Sequence, residues 1–254
     1  MVAPKKHLGQ HFLTDEKIAQ KVASLQANIE INHAIEIGCG KGVLTKYLVN
    51  QQGKKLIALD IDSESIEYMH ANYPAIKEQI ILADFLTYDL SILENKISVI
   101  GNFPYNISSQ IVFKILDNIP KIVHFAGMFQ KEVAERLCAK EGSKTYGILS
   151  VLLSTYFDTK YEFTVNEGAF FPAPKVKSGV ISACIKENFS LPIPYIYYKN
   201  VIKTAFNQRR KMLRNSLATY QIDKLEDKTY FTFRPEQLNF AQFIHLSEML
   251  YQIK

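Results

Sequence analysis

The chain has 254 residues, a formal net charge of +5 and an isoelectric point near 8.9, and 47% of its residues are hydrophobic. These values are typical of a globular protein, and no apolar run reaches the roughly 18 residues that a membrane-spanning helix needs. The three cysteines are too few and too far apart for a disulfide framework or a zinc site. We therefore expect a cytoplasmic protein with no membrane segment and no metal.

The chain begins with a basic arm, residues 4–13, which contains Lys5 and Lys6. A short strand is predicted at 34–37, and it runs directly into the turn Gly38-Cys39-Gly40-Lys41-Gly42, after which a helix begins. Glycines at such a turn allow a tight bend and the close approach of a ligand.

Three more strands are predicted at 56–59, 79–82 and 97–100, and each ends at polar residues. In an open α/β sheet the carboxyl ends of parallel strands share one edge, where ligands bind. Asp60, at the end of the second strand, stands where such folds place a carboxylate on ribose hydroxyls. Ser63 is expected to cap the helix that follows.

The fourth strand ends at Asn102-Phe103-Pro104-Tyr105. This stretch offers a side-chain carbonyl, a backbone carbonyl and a flat aromatic ring, which together suit an amino group on a flat base. Viewed alone, it could equally be a strand-to-loop turn with a packed tyrosine.

The glycine spacing is Gly-x-Gly-x-Gly, which does not suit the pyrophosphate of a dinucleotide. A nucleoside without phosphates fits better, and S-adenosylmethionine has a ribose for Asp60, an adenine for Asp84 and Phe85, and an amino-acid tail for Gly38 and Gly40. A nicotinamide oxidoreductase remains an alternative.

The second half predicts a strand at 123–130, helices at 131–139 and 148–155, and paired strands at 156–165 and 178–186. The loop between the paired strands begins at Phe170-Phe171, interpreted as a hydrophobic plug or as a second aromatic wall for a flat substrate; the stretch alone favours the plug. A linker is predicted at 188–194, with helices beyond it. One basic segment there is either a solvated helix end or a phosphate-binding patch, and it holds Lys203, Arg209, Arg210, Lys211 and Arg214.

Seven motifs occur in an order typical of one family. They are Lys6-His-Leu-Gly-Gln-His-Phe-Leu13, Glu36-Ile-Gly-Cys-Gly-Lys-Gly42, Asp60-Ile-Asp62, Ala83-Asp-Phe85, Asn102-Phe-Pro-Tyr105, Phe170-x-Pro-x-Pro-x-Val176 and Phe206-Asn-Gln-Arg-Arg-Lys-Met-Leu213. With them the chain resembles, over nearly its whole length, the ribosomal RNA adenine dimethyltransferases of the KsgA type. The Erm-type resistance methylases share the first six motifs in looser form, and the last motif favours the KsgA type.

The resemblance implies a class I, Rossmann-like α/β methyltransferase domain at 1–187, with a seven-stranded sheet whose last strand is antiparallel. It implies a small all-α domain at 188–254 that contacts RNA or the ribosome. The implied reaction transfers two methyl groups from S-adenosylmethionine to N6 of each of two adjacent adenosines, in the 3′-terminal hairpin of small-subunit ribosomal RNA.

The resemblance also implies roles for individual residues. The methyl donor is expected to contact His11, Leu13, Gly38, Gly40, Asp60, Asp84, Phe85 and Asn102. The target adenine is expected to contact Asn102, Phe103, Pro104, Tyr105 and Phe170. RNA contacts are expected at Lys5, Lys6, Lys203, Arg209, Arg210, Lys211 and Arg214.

The chain departs from the family pattern at His11, where asparagine is usual, and at Asp60, where glutamate is usual; both residues keep hydrogen-bonding ability. The expected partners are small-subunit RNA and the immature small subunit, and a monomer is expected. Two alternatives stay open, an Erm-type enzyme that acts on 23S ribosomal RNA and a mainly non-catalytic assembly factor.

Overall fold

The computed structural model describes residues 2–5, 8–187 and 189–254. The chain forms two compact units. One holds the residues up to Ala134 together with Thr159–Ile185, and the other holds Glu135–Asp158 together with Lys186–Lys254. A single boundary near residue 188 does not describe this division, because residues 135–158 group with the C-terminal segment.

Nine strands are present in the described part of the chain. They are β1 (Phe12–Leu13), β2 (His33–Ile37), β3 (Lys55–Asp60), β4 (Ile80–Leu82), β5 (Ile97–Asn102), β6 (Ile122–Gln130), β7 (Phe157–Val165), β8 (Phe170–Phe171) and β9 (Ser178–Ile185).

Seven of these strands form one sheet in the order β4-β3-β2-β5-β6-β9-β7. Strands β2 to β6 pair in parallel, and β9, the last strand of the chain, runs antiparallel to β6. The predicted seven-stranded, mostly parallel sheet is confirmed. The chain winds outward from β2 through β3 to β4 and then returns to place β5 on the other side of β2. The carboxyl ends of β2 and β5 therefore flank a switch point, where open α/β sheets bind ligands.

The central strands are apolar because both of their faces are covered. Every residue of β2 is buried, as are the first five of β5. The close packing leaves no room at Gly127 of β6, where an added Cβ would lie 2.2 Å from the Gly101 carbonyl oxygen and 2.7 Å from the Phe103 ring. A glycine here allows the Phe103 side chain to be buried beneath the end of β5.

The α-helices are distributed over both units, and α6 to α9 belong to the second. Asp62, not the predicted Ser63, caps α3, since its carboxylate accepts from the Glu64 backbone N–H at 3.2 Å. The helices are α1 (Glu16–Ser24), α2 (Thr45–Leu48), α3 (Ser63–Asn72), α4 (Ser108–Asp117), α5 (Lys131–Leu137), α6 (Ile148–Tyr156), α7 (Tyr195–Asn207), α8 (Leu213–Ser216) and α9 (Phe240–Gln252).

The second unit has its own core, built where α6, α7 and α9 pack on one another. Tyr198 is fully buried, and its hydroxyl forms a 2.8 Å hydrogen bond with the Thr155 hydroxyl. The rings of Phe206 and Phe243 stack with their centroids 5.9 Å apart. The residues that follow the predicted linker are helical, as expected. No described helix has the length and apolar character needed to cross a membrane.

Candidate active site

A pocket lies in the first unit, at the carboxyl ends of β2, β3 and β5. The space between its walls, with the open mouth included, is about 710 Å³. The sequence-predicted residues on its wall are His11, Gly38, Gly40, Asp60, Asp84, Phe85, Asn102, Phe103, Pro104 and Tyr105.

A second cavity of about 360 Å³ shares Phe12, Gly38, Gly40 and Asn102 with this pocket. Leu13 lines this second cavity and not the first. The two cavities together therefore contain every residue that the sequence analysis assigned to the methyl donor.

The glycine turn and the tip of β3 are joined by hydrogen bonds. Gly40 has a φ of +52°, which favours glycine, and its N–H donates to Asp60 Oδ2 at 2.9 Å. The N–H of Asp62 donates to Asp60 Oδ1, also at 2.9 Å. Burial raises the pKa of Asp60 although these backbone hydrogen bonds oppose the shift. Each carboxylate oxygen keeps a lone pair with which a hydroxyl of a ligand could bond.

The side chain of Asn102 is held in one orientation. Its Nδ2 donates to the His11 backbone oxygen at 2.7 Å. Because a carbonyl can only accept, this bond assigns the amide nitrogen to His11 and leaves Oδ1 directed away from it. No described residue donates to Oδ1. The backbone carbonyl oxygen of Phe103 likewise accepts no hydrogen bond from the described residues, so two acceptors stand open at the end of β5.

Tyr105 stands beside these two acceptors and is fixed at its hydroxyl. The Tyr105 and Ser178 hydroxyls are 2.6 Å apart, and burial raises the pKa of Tyr105. Its ring centroid is 5.6 Å from that of His11, with the planes tilted by 31°. His11 is itself fixed because its Nδ1 bonds to the Pro172 backbone oxygen at 2.7 Å.

The loop after β4 contributes Asp84 and Phe85. One carboxylate oxygen of Asp84 accepts from the Leu86 N–H at 2.8 Å, which leaves the other available. Phe85 is 2% exposed, so it supports the wall from within the core.

The N-terminal arm contributes part of the pocket wall and is tied to the start of α3. Leu8, Gly9 and Gln10 line the pocket, Gln10 Nε2 donates to Asp62 at 3.2 Å, and Lys5 Nζ lies 2.6 Å from the other Asp62 oxygen. Burial alone would raise the pKa of Asp62, but these bonds outweigh it and lower the pKa. The ammonium of Lys5, assigned to RNA from the sequence, is thus paired inside the protein; Lys6 lies outside the described residues.

Phe170 does not line either cavity. It is 4% exposed and belongs to the apolar cluster that contains Leu13 and Val165, so the structure places it as a plug and not on the open wall. The adjacent Phe171 is 62% exposed. The two differ because β8 pairs with β1 and successive side chains of a strand point to opposite faces.

Glu36, for which the sequence predicted no role, is among the residues that line the second cavity. Burial raises the pKa of Glu36 to about 7, although the Thr45 hydroxyl donates to its Oε2 at 2.6 Å. A carboxyl inside an otherwise apolar strand, directly before the glycine turn, was the signal that could have identified it.

The basic segment of the second unit is mostly exposed. Arg209 is the exception, because its Nη2 donates to the Ser143 backbone oxygen at 3.2 Å and its Nε lies 3.9 Å from a Glu236 carboxylate oxygen. The exposed members are Lys203, Arg210, Lys211 and Arg214. No group of three or more potential metal ligands occurs within residues 2–5, 8–187 and 189–254.

The strand order and the pocket at the switch point define a class I methyltransferase fold. Two solved structures share this fold: a dimethyladenosine transferase from Plasmodium falciparum (TM-score 0.81, 23% identity, covering 96% of this chain and 98% of that one) and the 23S rRNA methyltransferase ErmE (TM-score 0.67, 22% identity, 95% and 100%).

The sequence model of the ribosomal RNA adenine dimethylase family matches residues 1–246. A ribosomal RNA small subunit methyltransferase A from Flavobacterium johnsoniae is 53% identical over 98% of this chain and 96% of its own length. A protein of the same name from Parabacteroides distasonis is 48% identical over 97% and 94%. The chain belongs to the ribosomal RNA adenine dimethylase family and is a methyltransferase, which overturns the oxidoreductase alternative.

Proposed function

We propose that this enzyme dimethylates N6 of two adjacent adenosines in the 3′-terminal hairpin of small-subunit (16S) ribosomal RNA, with S-adenosylmethionine as the methyl donor. The observation that carries the proposal is the pair of open acceptors at the end of β5, Asn102 Oδ1 and the Phe103 carbonyl oxygen, beside the ring of Tyr105. The choice of the small subunit is supported by the names of the relatives that are 44–53% identical to this chain.

The residues present fit S-adenosylmethionine. Asp60 would hold its ribose and Asp84 its adenine, while the glycine turn and the Glu36 carboxyl would face its charged tail. When bound, it supplies a methyl group on a sulfonium, which leaves as a neutral thioether. The chain itself needs to supply position more than chemistry, and orientation alone can contribute several kcal/mol to a rate, on the order of 7–11 in favourable systems.

The open acceptors explain how the amine is activated. The lone pair of an adenine N6 is delocalised into the ring, so the amine is a weak nucleophile. Asn102 Oδ1 and the Phe103 carbonyl oxygen would each accept a hydrogen bond from one N6–H, which favours a tetrahedral nitrogen with its lone pair free. Once methylated, the nitrogen is positively charged and loses one of its N–H protons to water. Tyr105 would stack on the base once it leaves its own stack, and such stacking contributes about 1–3 kcal/mol. The second transfer proceeds with one N–H fewer, so the same acceptors must tolerate a methyl group.

We propose that RNA is also contacted by the second unit, in addition to the pocket of the first. Lys203, Arg210, Lys211 and Arg214 are exposed on a segment without acidic residues and would contact phosphates. We extend the proposal to the immature small subunit as partner, to a monomer and to the cytoplasm.

The experiment that tests the function presents purified small and large ribosomal subunits from a strain that lacks this methylation. With labelled S-adenosylmethionine, the small subunit is expected to accept about four methyl groups, two on each of two adjacent adenosines. Label in the large subunit instead would identify an Erm-type enzyme. Label in neither, together with tight binding to the small subunit, would favour a non-catalytic assembly factor.

The basic segment is tested by Arg210→Ala with Lys211→Ala. Each lost phosphate contact lowers the slope of log affinity against log salt by about 0.7–0.9, so the pair should lower it by roughly 1.5. Arg209→Ala is the matched control. It should lower the stability of the second unit and leave the salt slope nearly unchanged. An unchanged slope in the double variant would show that the segment is a solvated surface.

A further inference from the structure

A loop of the first unit combines an exposed aromatic ring with exposed cations, and the proposed function gives no role to either. We call residues 171–177 the rim loop. Phe171 is 62% exposed, compared with 39% for Phe233, and Lys175 and Lys177 are exposed as well. Neither lysine forms an ion pair with any residue that the structure describes.

The rim loop is fixed at both ends to the substrate side of the pocket. The Pro172 backbone oxygen bonds to His11 Nδ1 at 2.7 Å, and Ser178, directly after the loop, bonds to the Tyr105 hydroxyl at 2.6 Å. The Lys131 N–H also donates to the Lys177 backbone oxygen at 2.9 Å. The loop is therefore held next to His11 and Tyr105 and does not depend on either lysine side chain for its position.

The strand pairing determines the face from which Phe171 projects. Phe171 is the register partner of Phe12 in the antiparallel pair β1–β8, and directly opposed residues of such a pair point to the same face. Phe12 lines the pocket. Phe171 thus lies on the same face of this pair as Phe12, while Phe170 lies on the other face with Leu13 and is buried in the core.

We propose that the rim loop binds the RNA nucleotide next to the adenosine being methylated, with Phe171 stacked on its base and Lys175 and Lys177 at its phosphates. The proposal rests on the function proposed above. When one of two adjacent adenosines leaves the stack, its neighbour loses a stacking partner, and an exposed ring beside the pocket replaces that partner. Aromatic rings flanked by cations are the usual means of holding unpaired RNA, because every base has a flat face and every nucleotide a phosphate.

The test uses the full-length enzyme and a synthetic RNA hairpin whose loop carries one target adenosine beside a 2-aminopurine. The 2-aminopurine cannot be methylated at N6, and its fluorescence falls when it stacks on a ring. Phe171→Ala should weaken hairpin binding about tenfold and leave the bound 2-aminopurine, no longer stacked on a ring, more fluorescent than in the wild-type complex. Phe171→Trp should preserve both, and Phe171→Leu, which stays apolar without a ring, should behave like alanine.

The cations are tested by Lys175→Ala with Lys177→Ala, which should lower the salt slope of hairpin binding by about 1.4, the value for two single-strand phosphates. Lys77→Ala and Phe233→Ala, exposed residues elsewhere on the chain, serve as controls and should leave binding unchanged. Equal binding and equal fluorescence for wild type, Phe171→Ala and Phe171→Trp would overturn the inference.

These experiments distinguish failure of the rim-loop inference from failure of the proposed function. If wild type methylates the small subunit and the rim-loop variants bind as wild type does, the inference fails and the function stands. If wild type methylates no small-subunit RNA while Phe171→Ala still loses hairpin binding, the function fails and the rim loop remains an RNA contact.

Discussion

Strand β5 carries a polar side chain near each end, and the two side chains differ in how many of their hydrogen bonds are made within the protein. At the amino end, Ser98 is fully buried and its hydroxyl donates to Gln26 Oε1 at 2.8 Å, while His124 Nδ1 lies 2.7 Å from Ser98 Oγ. At the carboxyl end, Asn102 uses its amide nitrogen on His11 and leaves its oxygen open. The amino end, called the closed end below, thus holds buried side chains bonded to one another, although His124 Nε2 has no partner among the described residues. The carboxyl end, called the open end, holds a group with a bond still to make.

The difference teaches where function can be sought in a sheet of this kind. The buried network uses its hydrogen bonds within the fold, and its unpartnered atom, His124 Nε2, is itself fully buried. An unused acceptor at a pocket wall costs stability unless a ligand or water completes it. The buried ionisable groups follow the same division, since His124 belongs to the closed end and Glu36 lines the second cavity at the open end.

The substitution with the largest expected effect is Asn102→Ala, at the open end of β5. Loss of the open acceptor should lower methyl transfer on the order of 100- to 1000-fold, as removal of one positioned hydrogen-bonding group does in other active sites. Binding of S-adenosylmethionine should be retained in part, because Asp60 and Asp84 are untouched.

The measurement is single-turnover transfer of labelled methyl groups to small subunits, with calorimetry for the methyl donor. Asn118→Ala is the matched control, since the Asn118 amide bonds to the Lys114 backbone oxygen away from the pocket. Near wild-type transfer by Asn102→Ala would remove the open acceptor from the mechanism.

Sequence alone could predict the parts of this site that depend on neighbouring residues. Apolar runs followed by polar turns gave the strands and the shared edge, since parallel strands end together. The position of Asn102 beside Phe103 and Tyr105 followed from their adjacency in the chain.

The other features of the site could not be predicted from the sequence, because they depend on contacts between residues far apart in the chain. Lys5 pairs with Asp62, 57 residues away, and Arg209 contacts Ser143, 66 residues away, so two side chains assigned to RNA are engaged within the fold. The inward and outward positions of Phe170 and Phe171 required knowledge of the β1–β8 pairing. The grouping of residues 135–158 with the C-terminal segment had no sequence signal, because a helix that packs on α7 and α9 resembles any other apolar helix.

At the open end, Glu36 should make stability fall as pH rises. Its folded-state pKa of about 7 is above the usual 4.5 because burial penalises the charged form. The folded state therefore holds its proton more tightly, and the contribution to stability is lost between pH 4.5 and 7, by up to about 3 kcal/mol. Glu36→Gln should be more stable than wild type at pH 8 in denaturant titrations.

A cationic ligand favours the ionised form of Glu36, so S-adenosylmethionine should bind wild type more tightly as pH rises through 7, and Glu36→Gln should lose that dependence. A flat difference between the two variants from pH 4.5 to 8 would contradict this assignment.

At the closed end, His124 should give the opposite slope. Burial lowers its pKa to about 4 from 6.5, so the folded state binds fewer protons than the unfolded state between these values. The contribution of His124 to the free energy of unfolding should be complete above pH 6.5 and should be lost as pH decreases to 4, again by up to about 3 kcal/mol. The check is the difference between wild type and His124→Gln across that range, with methyl transfer at pH 7.5 unchanged per folded molecule. Loss of transfer in His124→Gln at full stability would show that the two ends of β5 are not independent.

The smallest expected effect separates two interpretations of Lys5. If its ammonium serves mainly to tie the N-terminal arm to Asp62 and Glu64, at 2.6 and 3.1 Å, then Lys5→Ala should weaken binding of S-adenosylmethionine a few-fold, because Leu8, Gly9 and Gln10 of that arm line the pocket. The effect is modest since part of the side chain is exposed and solvent screens the pair. The salt slope of RNA binding should stay as in wild type, and Lys77→Ala is the control for loss of one positive charge. The opposite pattern, with unchanged binding of the methyl donor and a slope lowered by about 0.7, would return Lys5 to the RNA contacts and show that the pairing with Asp62 yields when RNA binds.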